Sequence, residues 1–377
     1  RNIFERMEAA VRPSDRIVWV HAASLGEFEQ ARPIIERLRA EHPEYKILLT
    51  FFSPSGYEIR KNYEGADYVF YLPADTPSNA RRFLDIVHPE IAIFIKYEFW
   101  INLLSELRRR KVRSYIVSAI FRRNSVFFRP YGAMWRQALE TFDTLFVQNV
   151  ESKRLLSEIG FDNVVVAGDT RFDRVAQIAA AAQRVETIER FRGGGRLFVA
   201  GSTWGPDEEI LLPLVNANPD VKFVIAPHEM DEGRIAHLMR DAKGGAVRYT
   251  QCDAATRFDD VQVLVLDTMG MLSSVYGSAT WAYVGGGFGV GIHNTLEAAT
   301  FGLPIAFGPN YGKFKEARDM VSLGCAVSVR TAGELAAWFA PLRDDEETLR
   351  RASRTAKDYT ARNQGATGII LRSIFNS

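Results

Sequence analysis

The sequence predicts an α/β protein built from two successive doubly wound, Rossmann-like domains facing a central cleft, and three observations predict it. Short apolar runs without polar alternation recur along the 377 residues, each followed by a polar turn and helical sequence. That is the pattern of parallel strands buried on both faces of a sheet. The array occurs twice, and the repeats are separated by an alanine-rich helical segment that closes with the glycine run 193–195. A hydrophobic fraction of 47% over this length is enough for two cores.

Residues 1–175 form the first domain in this reading, with strands expected at 17–21, 46–51, 68–72, 91–95, 114–118, 144–148 and 164–167. The turn from Ala22 to Glu27 opens a helix that runs to about Ala40. Residues 176–195 read as an interdomain linker. The second domain, 196–345, carries strands expected at 196–201, 222–226, 263–266, 280–284, 303–307 and 325–329. Helices at 344–361 and 367–375 complete the chain, and residues 346–377 are expected to pack back toward the first domain. Ligands of open parallel sheets bind beyond the carboxyl ends of the strands, so the polar turns at those ends are the candidate site.

Composition narrows the function. With 47 basic and 46 acidic residues the formal charge is +1, which argues against a nucleic-acid partner. Two cysteines, Cys252 and Cys325, make neither a disulfide framework nor a metal knot, and a reducing compartment is the simpler expectation. The histidines are isolated and no HExxH is present, so no metal site is expected. No signal peptide and no apolar run of about 18 residues is visible. A basic stretch, Arg108, Arg109, Arg110, Lys111 and Arg113, then Arg122, Arg123 and Arg129, is interleaved with Phe121, Phe127, Phe128, Tyr131 and Trp135. It reads either as a solvated helix end followed by an aromatic core cluster, or as a surface facing anionic lipid.

The most informative stretch is 283–297, where five glycines fall within the seven residues 285–291 and His293, Asn294 and Glu297 follow at a helix start. Such a turn either permits a tight strand-to-helix connection or brings backbone N–H groups, including those around Gly289 and Gly291, against a ligand. It lacks the Lys-Ser or Lys-Thr ending of a phosphate-binding loop and comes too late in its domain for a dinucleotide fingerprint. In the first domain, Glu27 follows His21-Ala-Ala-Ser-Leu-Gly26 at a strand-to-helix turn. It reads either as a general base, favoured by the positive end of the helix, or as the third residue of a capping box begun by Ser24. Lys96 and Glu98 follow a strand and either pair with each other or hold a polar substrate, while Ser53, Ser55 and Gly56 form a small anion-friendly turn. Ser202 and Thr203 cap a helix or bind phosphate, Pro227 and His228 end another strand, and Met269 and Gly270 close a third.

Together, His21 to Glu27, Lys96 to Trp100, Gly201 to Trp204, Pro227-His228 and Gly289 to Glu297 resemble the bacterial 3-deoxy-D-manno-octulosonic acid (Kdo) transferases of lipopolysaccharide assembly, over roughly residues 13–365. The resemblance implies the two-domain GT-B glycosyltransferase architecture, with no metal and no cofactor. It implies transfer of Kdo from CMP-Kdo to the tetraacyl disaccharide lipid A precursor (lipid IVA), with inversion, at the cytoplasmic face of the inner membrane. By the same resemblance Glu27 is the general base. Ser24, Gly26, Ser53, Ser55, Lys96 and Glu98 lie on the acceptor side. Ser202, Thr203, Pro227, His228, Met269, Gly270, Gly289 and Gly291 lie in donor-binding loops, and Asn294 and Glu297 hold the cytidylate ribose and phosphate. Two departures stand out. Many members carry arginine after the proline near position 227, whereas this chain has His228, so a phosphate contact is expected to have moved to Arg234 or Lys313 or to be lost. The common Gly-Gly-His-Asn is Gly291-Ile292-His293-Asn294 here. The family's N-terminal anchor suggests that a membrane-associated segment precedes Arg1, which favours the lipid-facing reading of 108–135. The alternatives are a B-type transferase or epimerase using another nucleotide sugar, and a noncatalytic nucleotide or lipid-binding protein.

Overall fold

Residues 3–376 are described by the computed structural model. The chain forms two compact units, the first running to Arg174 and resuming at Asn363, the second spanning Val175–Arg362. In the first unit β1 (Ile17–His21), β2 (Lys46–Phe51), β3 (Tyr68–Tyr71), β4 (Ile91–Ile95), β5 (Arg113–Ala119), β6 (Thr144–Val147) and β7 (Val164–Val166) form one sheet in the order β3-β2-β1-β4-β5-β6-β7. All of its pairings are parallel. Every residue of β1 and β4 is buried, as a central strand covered on both faces requires. Alternation then divides the core: Ile17, Trp19, Ala92 and Phe94 enter one cluster, and Val18, Val20, Ile91, Ile93 and Ile95 the other.

The second unit repeats the scheme with β8 (Leu197–Thr203), β9 (Lys222–Pro227), β10 (Ala246–Arg248), β11 (Val263–Val265), β12 (Trp281–Val284), β13 (Ile305–Phe307) and β14 (Ala326–Ser328), ordered β10-β11-β9-β8-β12-β13-β14. Leu197, Val199, Ala282 and Val284 face one core cluster, and Phe198, Ala200, Trp281 and Tyr283 the other. Each order has a switch point, between β1 and β4 in the first unit and between β8 and β12 in the second, where the chain turns from one half of the sheet to the other. Beyond the carboxyl ends of such a pair the connecting loops diverge to opposite faces and leave a crevice.

Two boundaries differ from the sequence reading. The segment 176–195 is more than a linker: Ile188 and Phe191 of helix Glu186–Arg192 are buried in a core cluster of the second unit. The terminal helices part company as well. Leu349, Ala352 and Ala356 on helix Glu346–Arg362 fill the second core, whereas Ile370, Leu371 and Ile374 of helix Ala366–Phe375 fill the first. Gly365, with φ of 105°, turns the chain between them in a conformation that side chains with a Cβ rarely adopt.

The basic stretch is largely neutralised by partners. Arg109 and Arg110 both bond to Glu106, Arg110 also pairs with Asp85 at 2.8 Å, Arg108 with Glu140 at 2.7 Å and Arg123 with Glu158 at 3.0 Å. Phe121 and Phe127 are core residues, and the exposed apolar part of the stretch is Tyr131 and Met134. Hydrogen bonds from Arg109 first, and then from Arg110, hold the Glu106 carboxyl down at about 2. A depressed carboxyl contributes stability that is present above its unfolded value, about 4.3, and is lost as pH falls through the folded value. Glu106→Gln is therefore expected to be less stable than the wild type at neutral pH and to converge with it as pH falls toward 2, in acid unfolding followed by circular dichroism. Parallel curves at all pH values would remove Glu106 from that role.

Candidate active site

At the carboxyl end of β1, His21 is fully buried, with Nδ1 2.8 Å from the Thr50 hydroxyl and Nε2 3.1 Å from a Glu98 carboxylate oxygen. Trp19 donates its indole N–H to Thr50 at 2.8 Å, and Trp100 donates to the same Glu98 oxygen at 2.7 Å. The Trp100 indole N–H is shared, lying also 3.2 Å from His21 Nε2, so Trp19, Thr50, His21, Glu98 and Trp100 form one connected network. Glu98 is thus fastened to β1. Lys96, beside it, sits at φ of 61°, which bends the chain sharply out of β4.

Ser24 occupies the N-cap of helix Leu25–Glu41 and Glu27 its third position, but the reciprocal bonds of a capping box are not formed. The Ser24 hydroxyl donates to the Glu27 carboxylate instead, in a short contact. That leaves Glu27 half-buried at the helix N-terminus, where negative charge is favoured, with its orientation set by Ser24 and its neighbour Gly26 exposed. The turn after β2 lies alongside, because the Ala23 carbonyl accepts from the N–H groups of Phe52 at 3.2 Å and Ser53 at 2.7 Å. Ser53 accepts from the Ser55 N–H as the cap of helix Pro54–Arg60, and the two hydroxyl oxygens are 2.9 Å apart. All the candidate residues of the first unit therefore gather at the ends of β1, β2 and β4.

In the second unit the glycine run divides into two parts. A Cβ on Gly285 would stand 2.1 Å from the Ser202 carbonyl oxygen, and one on Gly287 would stand 2.6 Å from the Gly308 Cα. These glycines are required by close backbone approach, and Gly286 by its φ of 91°. The N–H groups of Gly285, Gly286, Gly289, Ile292 and His293 are bonded within the protein, to Gly201, Asp207, Gly286, Asn310 and Gly285 respectively. The expected cradle of ligand-facing amides is therefore reduced to the remainder of the loop, where Gly289 and Val290 are exposed. The following helix is also shorter than expected, only Leu296–Ala299.

What holds the loop is Asp207, fully buried near the start of helix Gly205–Ala217. Its carboxylate accepts from the Gly286 N–H at 3.0 Å, the Trp204 N–H at 2.9 Å and the Tyr283 hydroxyl at 2.7 Å. Burial pushes its carboxyl up, against the pull of these hydrogen bonds. Thr203 does not present a free hydroxyl for phosphate: it donates to the buried Glu208 at 2.9 Å. Glu208 also takes Arg234 at 2.7 Å, and Arg234 donates to the Thr203 carbonyl at 3.1 Å, so the arginine expected to move onto phosphate is tied to a carboxylate. The left-handed φ of Ser202, 54°, marks the bulge in β8 against β9 that brings Thr203 opposite Pro227.

A cavity of about 390 Å³ opens between Trp204, Pro206, Asp207, His228 and the loop from Gly286 to His293, including Gly289 and Gly291. Three rings form one of its walls. His228 stacks on Trp204 with centroids 4.7 Å apart and on His293 at 4.3 Å, and the Trp204 indole N–H donates to His293 Nε2 at 3.2 Å. Burial first, and then the proximity of His228, pushes the His293 imidazole below its ordinary value. Next to His293, Asn294 donates to Glu297 at 3.1 Å, and Ser273 donates to the other Glu297 oxygen at 2.8 Å. Ser273 lies on helix Leu272–Tyr276, directly after the exposed Met269 and Gly270, so this turn joins the Glu297 group. Asp207, Ser273 and the pairing of Trp204 with His293 were not singled out from the sequence. An Asp three residues after a strand-end tryptophan was the available signal for the first.

The fold defines the class. It is similar to UDP-GlcNAc 2-epimerase from Neisseria meningitidis bound to UDP-GlcNAc, with a TM-score of 0.67 at 16% identity, covering 96% of this chain and 100% of that one. The epimerase from Methanocaldococcus jannaschii gives 0.59 at 14%, covering 92% and 98%. These likenesses establish two Rossmann-like units in the GT-B architecture. Residues 1–174 match the family described as 3-deoxy-D-manno-octulosonic-acid transferase (kdotransferase). Nearly the whole chain is similar to the 3-deoxy-D-manno-octulosonic acid transferases of Haemophilus influenzae, 25% identical over 95% of this chain and 86% of that protein, and Bordetella pertussis, 28% over the same shares. The likeness to Kdo transferases thus extends from the matched first unit over nearly the whole chain, and they are the proteins its sequence motifs resemble.

Proposed function

We propose that this protein transfers Kdo from CMP-Kdo to the tetraacyl disaccharide lipid A precursor, inverting the anomeric centre, with Glu27 as general base. The observation that carries the reading is the Glu27 carboxylate, held by Ser24 at a helix N-terminus beside the switch point of its sheet, within the residues that match the Kdo transferase family. In the reaction Glu27 takes the proton of the attacking acceptor hydroxyl, whose oxygen bonds to the anomeric carbon of Kdo. The bond from that carbon to the phosphate oxygen breaks, and its electron pair leaves on CMP. The phosphate is already a stable anion, so no strong acid is needed. The acceptor sits against Ser24, Gly26, Ser53, Ser55, Lys96 and Glu98. The donor sits against Ser202, Thr203, Pro227, His228, Met269, Gly270, Gly289, Gly291, Asn294 and Glu297, with no metal and no cofactor.

We place the protein at the cytoplasmic face of the inner membrane, where the exposed Tyr131 and Met134 beside a basic segment suit a lipid surface. Among the described residues no helix is long and apolar enough to cross a membrane. A second reading, an enzyme of another nucleotide sugar, is favoured by the fold likeness to the epimerases. Competition decides between them. Inhibition by CMP, with UDP and GDP without effect, is the expected result; inhibition by UDP or GDP alone would favour the second reading.

A further inference from the structure

Phe52 is an exposed ring on a rigid base. It follows the buried Phe51 at the end of β2, precedes Ser53 and is 53% exposed. Its N–H is fixed by the Ala23 carbonyl at 3.2 Å, one residue before Ser24 in the turn that carries Glu27. Against its ring stands Trp100, with centroids 4.8 Å apart and planes tilted by 51°. Trp100 is itself held: its indole N–H donates to Glu98 at 2.7 Å, and its ring meets the fully buried His21 edge-on at 5.8 Å. Thr50 holds His21 from the other side and also takes the Trp19 N–H. A single exposed apolar side chain is commonplace, but apolar surface rimmed by polar groups marks a ligand groove. Such groups adjoin this pair. The Ser53 and Ser55 hydroxyls come next in the chain, and both contacts of Glu98, to His21 and to Trp100, use one carboxylate oxygen. Among the described residues the other oxygen takes no hydrogen bond.

A flat apolar ring beside a carboxylate oxygen and hydroxyls matches one ligand chemistry in particular. A pyranose ring has a face of C–H groups and an edge of hydroxyls. The C–H face is attracted to the negative face of an aromatic ring, and the hydroxyl edge donates to a carboxylate. An acyl chain has only the first of these needs, and would leave the polar neighbours of Phe52 desolvated without partners. We propose that Phe52, braced by Trp100, is the stacking platform for a pyranose ring of the acceptor. It makes the acceptor side of the site selective for a carbohydrate. This rests on the acceptor assignment given above.

The test is steady-state transfer by the whole protein in detergent, with CMP-Kdo and the tetraacyl disaccharide precursor, beside calorimetric titration with the deacylated disaccharide, which keeps the sugar rings and lacks the acyl chains. Phe52→Ala is expected to raise the acceptor KM about tenfold with the donor KM unchanged, and to weaken binding of the deacylated disaccharide by the same factor. Phe52→Leu keeps apolar bulk without a flat face and is expected to behave like the alanine variant. Phe52→Tyr keeps the face and is expected to restore affinity to within about threefold of the wild type. The side chain is exposed, so all three variants should melt with the wild type, which assigns the losses to binding. An acceptor KM unchanged in Phe52→Ala, or restored by Phe52→Leu, overturns the inference alone. So does a loss seen with the acylated acceptor and absent with the deacylated disaccharide, or a wild type with no affinity for the latter, since the acyl chains would then carry the contact. A wild type that transfers no Kdo to the acceptor overturns the function proposed above and this inference with it.

Discussion

Replacing Glu27 by glutamine is expected to slow Kdo transfer by roughly a hundred- to ten-thousand-fold while acceptor binding persists, the range by which a positioned general base accelerates proton transfer. The substitution keeps the shape of the side chain and its contact with Ser24, but the amide cannot take the acceptor proton. The loss should appear in turnover at saturating donor and acceptor, not in KM. Ser24→Ala should cost less, about tenfold, because it removes only the hydrogen bond that orients the carboxylate. Unchanged turnover in Glu27→Gln, measured in detergent with both substrates, would reject Glu27 as the base. Lost turnover with lost acceptor affinity would assign it to binding instead.

Asp207→Ala is expected to be the most damaging single change in the second unit. It removes the acceptor for the Gly286 N–H, the Trp204 N–H and the Tyr283 hydroxyl together. A buried donor left without a partner costs about 1–3 kcal/mol, and these three share one anchor, so a loss of about 3–5 kcal/mol is expected without strict additivity. The glycine-rich loop should loosen at Gly286, and donor KM should rise while acceptor KM holds. Asp207→Asn is expected to be mild by comparison. Its carbonyl can accept the two N–H groups and its amide can donate to Tyr283. The pH signature separates the two roles of this carboxyl. Because burial raises it, its contribution to stability is greatest below the unfolded value, about 3.9, and declines as pH rises through the folded value. Asparagine should remove that decline. Thermal melting of both variants with donor kinetics checks this, and an alanine variant that melts and binds donor like the wild type would contradict the account.

The strands were readable because burial on both faces leaves unbroken apolar runs: Ile17–His21, Lys46–Phe51 and Ile91–Ile95 match residue for residue. The edge strand Ala246–Arg248 was not, since three half-buried residues ending in an arginine carry almost no periodicity. The domain ends were misjudged where two amphipathic helices follow each other. Sequence shows that Leu349, Ala352 and Ala356 share a face but not which core receives it. In the site, the positions of Ser24 and Glu27 at the helix start were legible and the bond between them was not. A capping box and a hydroxyl aimed at a carboxylate share one spacing. The glycine run was ambiguous for a similar reason, since glycines packed against Ser202 and Gly308 look the same in sequence as glycines open to a ligand. The long-range contacts of Asp207, Ser273 and the Trp204–His293 pair join residues 24 to 89 positions apart, which no local pattern encodes.

The central claim is the transfer itself, and mass spectrometry of the lipid acceptor tests it most directly. The purified protein is incubated with the tetraacyl disaccharide precursor and, in parallel, with CMP-Kdo, a UDP-sugar or a GDP-sugar, and the acceptor is followed over time. The account predicts mass increments of whole Kdo units, one or several in succession, with CMP-Kdo alone. An acceptor unchanged by CMP-Kdo, or extended by a UDP- or GDP-sugar, would contradict it.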